Sequence, residues 1–268
     1  MKQHNKQSHS HRIAANKRAF STVISTIILT SVLLIILIVA TFVSTNMLTL
    51  QMNSTEFEQA KSNMLLLDDM VQDISLRAGS GGYLQFNERT GGIGLTQSTM
   101  TVTVNVTDNE GTKTIYNNSL TIFNFTYSGG SLTSAANVDL RGNESMGTLM
   151  NMSQSLGYLR VELDKGAKIK LDYDRMRVVQ VGLIDGSTNL IEITFVRLVK
   201  GAMGGSGTVN VKLQNVQTIT NATSIPSGNV TIDVIFGQYD PRYTANYTSS
   251  GDKTVILFTE VQIMVTKS

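Results

Sequence analysis

Histidine, cysteine and carboxylate side chains carry much of enzyme chemistry, and this chain places few of them together. It contains no cysteine, and its three histidines, His4, His9 and His11, all lie within the first 19 residues. Ser-His-Asp and Cys-His nucleophiles and histidine-rich zinc sites are therefore excluded from the region that follows. The sequence predicts neither an enzyme nor a resident metal or other cofactor.

Two carboxylate pairs remain, and such pairs can act as general acid and base or bind calcium. The heptad described below places Asp68 and Asp69 on its solvent side. Asp172 and Asp174 flank Tyr173 near a strand end, where alternation points both carboxylates outward, and no calcium-loop pattern follows them. Both pairs are predicted to be solvated surface residues.

Asparagine in the pattern N-x-[ST] is an acceptor for N-linked glycans in exported proteins. Nine such sites lie beyond residue 43, and none lies before it: Asn53, Asn105, Asn117, Asn124, Asn143, Asn151, Asn221, Asn229 and Asn246. The sequence therefore predicts a glycosylated outer surface.

A long apolar stretch, Phe20 to Val43, has 24 residues and contains no charge, glycine or proline. As a helix it would span about 36 Å, enough for a bilayer core and too long for the apolar part of a removable secretory signal. No acidic residue appears before Glu56. Five basic residues precede the stretch: Lys2, Lys6, Arg12, Lys17 and Arg18. This asymmetry places the amino terminus in the cytoplasm and the remainder outside.

The apolar stretch is followed by residues at heptad spacing, which indicate an amphipathic continuation of the helix. They are Leu50, Phe57, Met64 and Val71, and Asn53, Ala60, Leu67 and Ile74. Glycines after Arg77 end the pattern, so one helix over residues 20–78 is predicted, about 88 Å long. Two helices that meet near Ser44 to Asn46 are the alternative.

Beyond Gly82 the hydrophobic period changes from helical to two, and strands are predicted. Nine segments are rich in β-branched and aromatic residues: 99–107, 119–127, 157–164, 167–173, 175–184, 190–199, 208–213, 229–236 and 253–265. Residues 142–154 alone show a second helical pattern. The predicted fold class is α+β, a long helix followed by an antiparallel β-sandwich, of which the immunoglobulin-like fold is one form.

A basic residue, then Ala, then F-S-T-V-I-S-T-I-I-L, resembles the amino-terminal segment of archaeal type IV pilins and the related archaellins. The common form of that segment reads R-A-V-S-P-V-I-G and runs into an apolar helix. The resemblance implies a class III signal peptide, in which a prepilin peptidase recognises Lys17, Arg18, Ala19 and Phe20. Cleavage after Ala19 would leave Phe20 as the mature amino terminus.

The resemblance divides the chain into a cleaved basic leader (1–19), a helix (20–78) and an extracellular β domain (79–268). It implies a structural subunit of a surface filament for adhesion, inserted in the cytoplasmic membrane until the pilus assembly machinery builds a homopolymer through the helix. The leader holds five of the 22 basic residues and none of the 20 acidic ones, so its removal changes the formal net charge from +2 to −3. No basic patch for nucleic acid remains.

Small hydroxyl residues share one face of the predicted helix and could allow neighbouring helices to approach closely. This face comprises Ser21, Thr22, Ser25, Thr26 and Thr30. Such hydroxyls can instead bond the carbonyl four residues back on their own helix.

Two other functions fit the same sequence. One is a single-pass, membrane-anchored surface binding protein that does not polymerise, and the other is a motility archaellin. The fate of the Ala19–Phe20 bond separates the anchored protein from the filament subunits.

Overall fold

The computed structural model describes residues 8–129, 137–143, 147–150, 152–163, 166–237 and 243–268, with the backbone alone for 8–21 and Tyr243. The chain divides into two compact units, Met1–Met52 and Asn53–Ser268. One long helix precedes a β-rich region, which confirms the α+β class. The helix is α1, Ser8–Ser75, so the predicted single helix is confirmed and the alternative of two helices that meet near Ser44 to Asn46 is wrong.

Thirteen strands follow within the described residues. They are β1 (Gly81–Glu88), β2 (Gly92–Thr107), β3 (Thr112–Ser128), β4 (Val138–Arg141), β5 (Thr148–Leu149), β6 (Tyr158–Leu163), β7 (Ala167–Asp172), β8 (Met176–Ile184), β9 (Thr188–Met203), β10 (Gly207–Ile225), β11 (Val230–Phe236), β12 (Tyr243–Tyr247) and β13 (Lys253–Lys267). Each of the nine predicted segments falls on one of them, but four strands extend well beyond the predicted bounds: β2, β3, β9 and β10. The described residues of 142–154 contain no helix, so that prediction is wrong.

The strands form two sheets. One has six strands in the order β1-β10-β13-β9-β8-β5, and the other has seven in the order β12-β11-β2-β3-β7-β6-β4. Neighbours are antiparallel except for β13 with β9 and β5 with β8, which are parallel. The predicted antiparallel arrangement is therefore confirmed for most strand pairs and wrong for these two, one in the centre and one at the edge of the six-stranded sheet.

The amphipathic part of α1 supplies one of two hydrophobic cores. Its heptad residues from Phe57 to Ile74 are buried against residues of both sheets, among them Phe125, Ile169 and Val211. The heptad prediction is confirmed from Asn53 onward, whereas Leu50 is exposed. A second core consists of strand residues alone, so the two sheets also pack against each other away from the helix.

The end of α1 is fixed by a strand residue distant in sequence. The buried Asn215 side chain of β10 donates hydrogen bonds from Nδ2 to the carbonyls of Ile74 at 3.1 Å and Arg77 at 3.2 Å. Gly79 follows with a φ of 78°, a left-handed conformation that glycine adopts at little cost, and its N–H bonds the Asn215 carbonyl. The Ile74 carbonyl, one of those left open at the helix terminus, is thereby satisfied.

Candidate assembly helix and its anchor

The first part of α1 presents an apolar surface to solvent. Every described side chain from Thr22 to Met52 is exposed, and none is ionisable. Large apolar side chains from Val23 to Val43 retain 43–67 % of their accessible surface. The helix is long and apolar enough to cross a membrane, with a mean hydropathy of 3.0 over its most apolar 18 residues. Full burial would stabilise each such side chain by about 1.5–3 kcal/mol.

The predicted hydroxyl face bonds within its own helix. Thr26 Oγ1 donates to the Thr22 carbonyl at 2.9 Å, and Thr30 Oγ1 donates to the carbonyls of Thr26 and Ile27 at 3.0 Å. These two hydroxyls therefore fit the alternative in which a hydroxyl bonds a carbonyl of its own helix. Ser25 is exposed, and close helix approach along this face stays a prediction.

A second series of hydroxyl residues was not predicted from the sequence. Thr41 donates to Leu37, Thr45 to Thr41 and Thr49 to Thr45, in each case to the carbonyl at 2.8–3.0 Å. The spacing of four residues between these threonines could have predicted that they share one side of the helix. The hydroxyls of these threonines are satisfied within the helix, so they add no unsatisfied polar group to the apolar surface.

The predicted cleavage site, the bond between Ala19 and Phe20, lies within α1. Side chains of Lys17, Arg18, Ala19, Phe20 and also Ser21 are outside the described part of the structure. Recognition by a peptidase therefore stays a prediction.

Asp68 anchors the buried part of α1. Its carboxylate is fully buried and accepts hydrogen bonds from Tyr173 Oη at 2.9 Å, Ser155 Oγ at 2.6 Å, Arg141 Nη1 at 2.9 Å and Gln72 Nε2 at 3.1 Å. The expectation of a solvated Asp68 is wrong, because the heptad pattern carries no information about partners that are distant in sequence. A buried charge with this many donors is well compensated.

The electrostatics around this anchor keep the donors protonated. Burial, followed by the Asp68 charge, raises the pKa of Tyr173 well above its ordinary value. The pKa of Arg141 is also raised, first by its hydrogen bond to Asp69 and then, against the effect of burial, by Asp68. Asp69 itself keeps 57 % of its side chain exposed, as predicted for a surface residue.

The second carboxylate pair is also partly buried. Asp172 accepts a hydrogen bond from Arg175 Nη1 at 2.9 Å, and the Arg175 guanidinium lies over the Tyr158 ring at 4.7 Å. The prediction of a solvated Asp172 is wrong, because the Arg175 side chain pairs with it and both are buried at the end of β7. Asp174 is half-buried. No group of three or more metal-ligating side chains lies together within the described ranges.

Glu56 closes the turn between β1 and β2. Its Oε1 accepts hydrogen bonds from the backbone N–H groups of Arg89, Thr90 and Gly91 at 3.1–3.3 Å and from Tyr127 Oη at 2.8 Å. Burial alone would raise the pKa of Glu56, but these hydrogen bonds outweigh it and lower the pKa below its ordinary value of 4.5. Successive N–H groups of this kind form an anion-binding concavity, filled here by the helix's own carboxylate.

We expect Glu56→Gln to lower the free energy of unfolding by about 1 kcal/mol near neutral pH. Because the folded-state pKa lies below the unfolded one, the contribution of the carboxylate is complete above the unfolded pKa and is lost as the pH falls through the folded pKa. The difference between wild type and variant in urea unfolding should therefore shrink in acid. Glu58→Gln, at an exposed surface pair with Lys61, is the control and should change little at either pH. A pH-independent Glu56→Gln effect would contradict the assignment.

No protein-family model, curated protein or solved structure matches the chain. The resemblance to archaeal type IV pilins therefore depends on the amino-terminal residues.

The structure separates the nine candidate glycosylation sites. Asn53 and Asn124 are 7 % and 5 % exposed, so a glycan on either would require unpacking, and both are dropped as candidates. Asn151 lies outside the described residues. Asn105 is half-buried, and the exposed sites are Asn117, Asn143, Asn221, Asn229 and Asn246.

Proposed function

We propose that this chain is the structural subunit of an archaeal type IV pilus-like filament used for surface attachment. The apolar part of α1 packs with copies of itself in the filament core, and the β-rich unit forms a glycosylated exterior. Before assembly the same helix lies in the cytoplasmic membrane. The proposed partners are further copies of this chain, a prepilin peptidase and the assembly machinery, with no catalytic role.

One observation carries the proposal: the exposed, uncharged surface is longer than a bilayer requires. Thr22 to Met52 comprises 31 residues, about 46 Å as a helix, whereas a hydrocarbon core is about 30 Å thick. Met47, Leu48, Leu50 and Met52 are each 53–60 % exposed beyond the predicted membrane stretch. Neighbouring helices can cover these side chains, which an upright helix in lipid would leave at or beyond the membrane surface.

The β-rich unit is suited to the exterior because it has its own cores. Asp68, Glu56 and Asn215 hold the buried half of α1 to the strands through the contacts described above. We propose that the two packed sheets form a β-sandwich, with the immunoglobulin-like variant as one possible form of it. Each subunit would then carry an independently stable body on a helix that requires partners.

Processing tests the proposal, because a filament subunit must be cut ahead of the apolar stretch. We expect protein sheared from cells to begin at Phe20 by amino-terminal sequencing. Arg18→Glu should abolish cleavage, since it reverses the charge next to the cut site, whereas Lys6→Glu in the same leader should leave cleavage intact. Sheared protein that begins at Met1 or after Val43 would contradict the filament and favour an anchored or secreted protein.

A further inference from the structure

The second half of β10, Gln217 to Ile225, is a free sheet edge. The first half, Gly207 to Gln214, pairs with β1, and from Val211 onward also with β13 on the other side, whereas the second half pairs with β13 alone in the part of the chain that the structure describes. A register irregularity between Asn215 and Gln217 separates the halves. From Val216 to Ala222 every side chain is exposed, on both faces of the strand.

One face of this edge continues the buried side of the six-stranded sheet. Ile219 lies opposite Glu260 in the β10–β13 register, and Asn221 lies opposite Phe258. Glu260 and Phe258 are buried, and the Phe258 ring stacks on Tyr116 of the other sheet with 4.3 Å between centroids. The seven-stranded sheet thus covers this row as far as β13 and leaves Ile219 and Asn221 uncovered.

The edge lacks the usual protection against other strands. Proteins guard exposed edges with charged residues, proline, bulges or short strands. The sequence QTITNATSI contains no charge and no proline, and its irregularity lies only at its start. Uncharged, β-branched segments of this length associate readily as strands. A filament that concentrates many copies would make such an edge a liability.

Asn221 differs from the other accessible acceptors. It begins the sequence Asn-Ala-Thr on the free edge, and its exposed side chain makes no hydrogen bond with any residue that the structure describes. The side-chain oxygens of Asn105, Asn117, Asn229 and Asn246 each accept one. A glycan is bulky and hydrated, so one attached here would occupy the space beside the uncovered row.

We propose that Asn221 carries an N-linked glycan and that this glycan protects the free edge of β10 from pairing with other copies of the chain. The proposal rests on the proposed function only in assuming export to a compartment where such glycans are added. It assigns one acceptor and gives its sugar a structural task.

The test uses the full-length chain, purified in detergent from the cells that naturally produce it. Peptide mass spectrometry should find a glycan on most Asn221 peptides. In light scattering, Asn221→Gln and Thr223→Ala should each self-associate at about tenfold lower protein concentration than wild type. Asn229→Gln, which removes an exposed acceptor in the β10–β11 connection, should behave as wild type. Adding Ile219→Lys to Asn221→Gln should restore the wild-type behaviour, because an edge lysine supplies the missing charge.

Absence of a glycan from Asn221 overturns the proposal, whatever the other acceptors carry. So does an Asn221→Gln chain that stays as dispersed as wild type. Hydrogen exchange of Gln217 to Ser224 should slow when Asn221→Gln self-associates, and association without added protection there would also overturn the proposal, because another surface would then be responsible. Filament formation is scored separately by electron microscopy, so a failure of the filament proposal is recognised independently.

Discussion

Ile35→Asp should abolish filaments while cleaved subunits remain in the membrane. Ile35 lies near the middle of the exposed apolar surface and is 58 % exposed in the single chain. Inside a helix bundle, an introduced carboxylate would be buried without a partner, which costs several kcal/mol in every subunit. Membrane insertion tolerates Asp at a helix centre at about 2.5–3.5 kcal/mol, against an otherwise strongly apolar segment.

Two controls limit the interpretation of this variant. Leu76→Asp introduces the same charge at a side chain that is 73 % exposed beyond the end of α1, and normal filaments are expected. Thr26→Val keeps the volume and removes a hydroxyl that bonds only its own helix, so its effect should also be small. Filaments are counted by electron microscopy after shearing, and abundant filaments from the Ile35→Asp strain would exclude this helix as the packed core.

Asp68→Ala is expected to give the largest loss of stability, about 3–5 kcal/mol. The substitution leaves Arg141, Tyr173 and Ser155 without the buried Asp68 carboxylate that their side chains now bond. Because a small domain is stable by only about 5–15 kcal/mol, the variant should be partly unfolded at moderate temperature. Urea unfolding of a fragment that begins at Ser44 measures the difference.

Asp69→Asn is the matched control for this variant. Asp69 also contacts Arg141, but more than half of its side chain is exposed, so a change below about 1 kcal/mol is expected. Gly157→Ala provides a second approach to the same site, because a Cβ there would collide with the Asp68 carboxylate. Equal effects of Asp68→Ala and Asp69→Asn would contradict the anchor.

The elements with strong periodicity could be predicted from the sequence. Phe57 to Ile74 repeat at heptad spacing and are buried as expected, and the long apolar helix follows from composition alone. The missed strands are explained by their residues. β1 begins with two glycines, β4, β5 and β12 are five residues or fewer, and most of the second half of β10 is exposed on both faces, so it shows no alternation.

The contacts that fix the helix could not be predicted in the same way. Asp68 is buried because Arg141, Ser155 and Tyr173 reach it from 73–105 residues away, and local periodicity carries no information about such partners. The parallel pairing of β9 with β13 has the same cause, since strand order depends on the whole topology. The exposed apolar surface of α1, by contrast, could be predicted from composition, because recognising it requires no knowledge of distant contacts.

The most direct measurement is a cryo-electron microscopy map of filaments sheared from the cells that make this protein. We expect the map to place the α1 helices of many copies side by side along the filament axis, in contact from Phe20 to about Met52, with each subunit beginning at Phe20. The β-rich units should form the outer layer. Recovery of this chain only from the membrane fraction, as separate copies that begin at Met1, would contradict the proposed filament core.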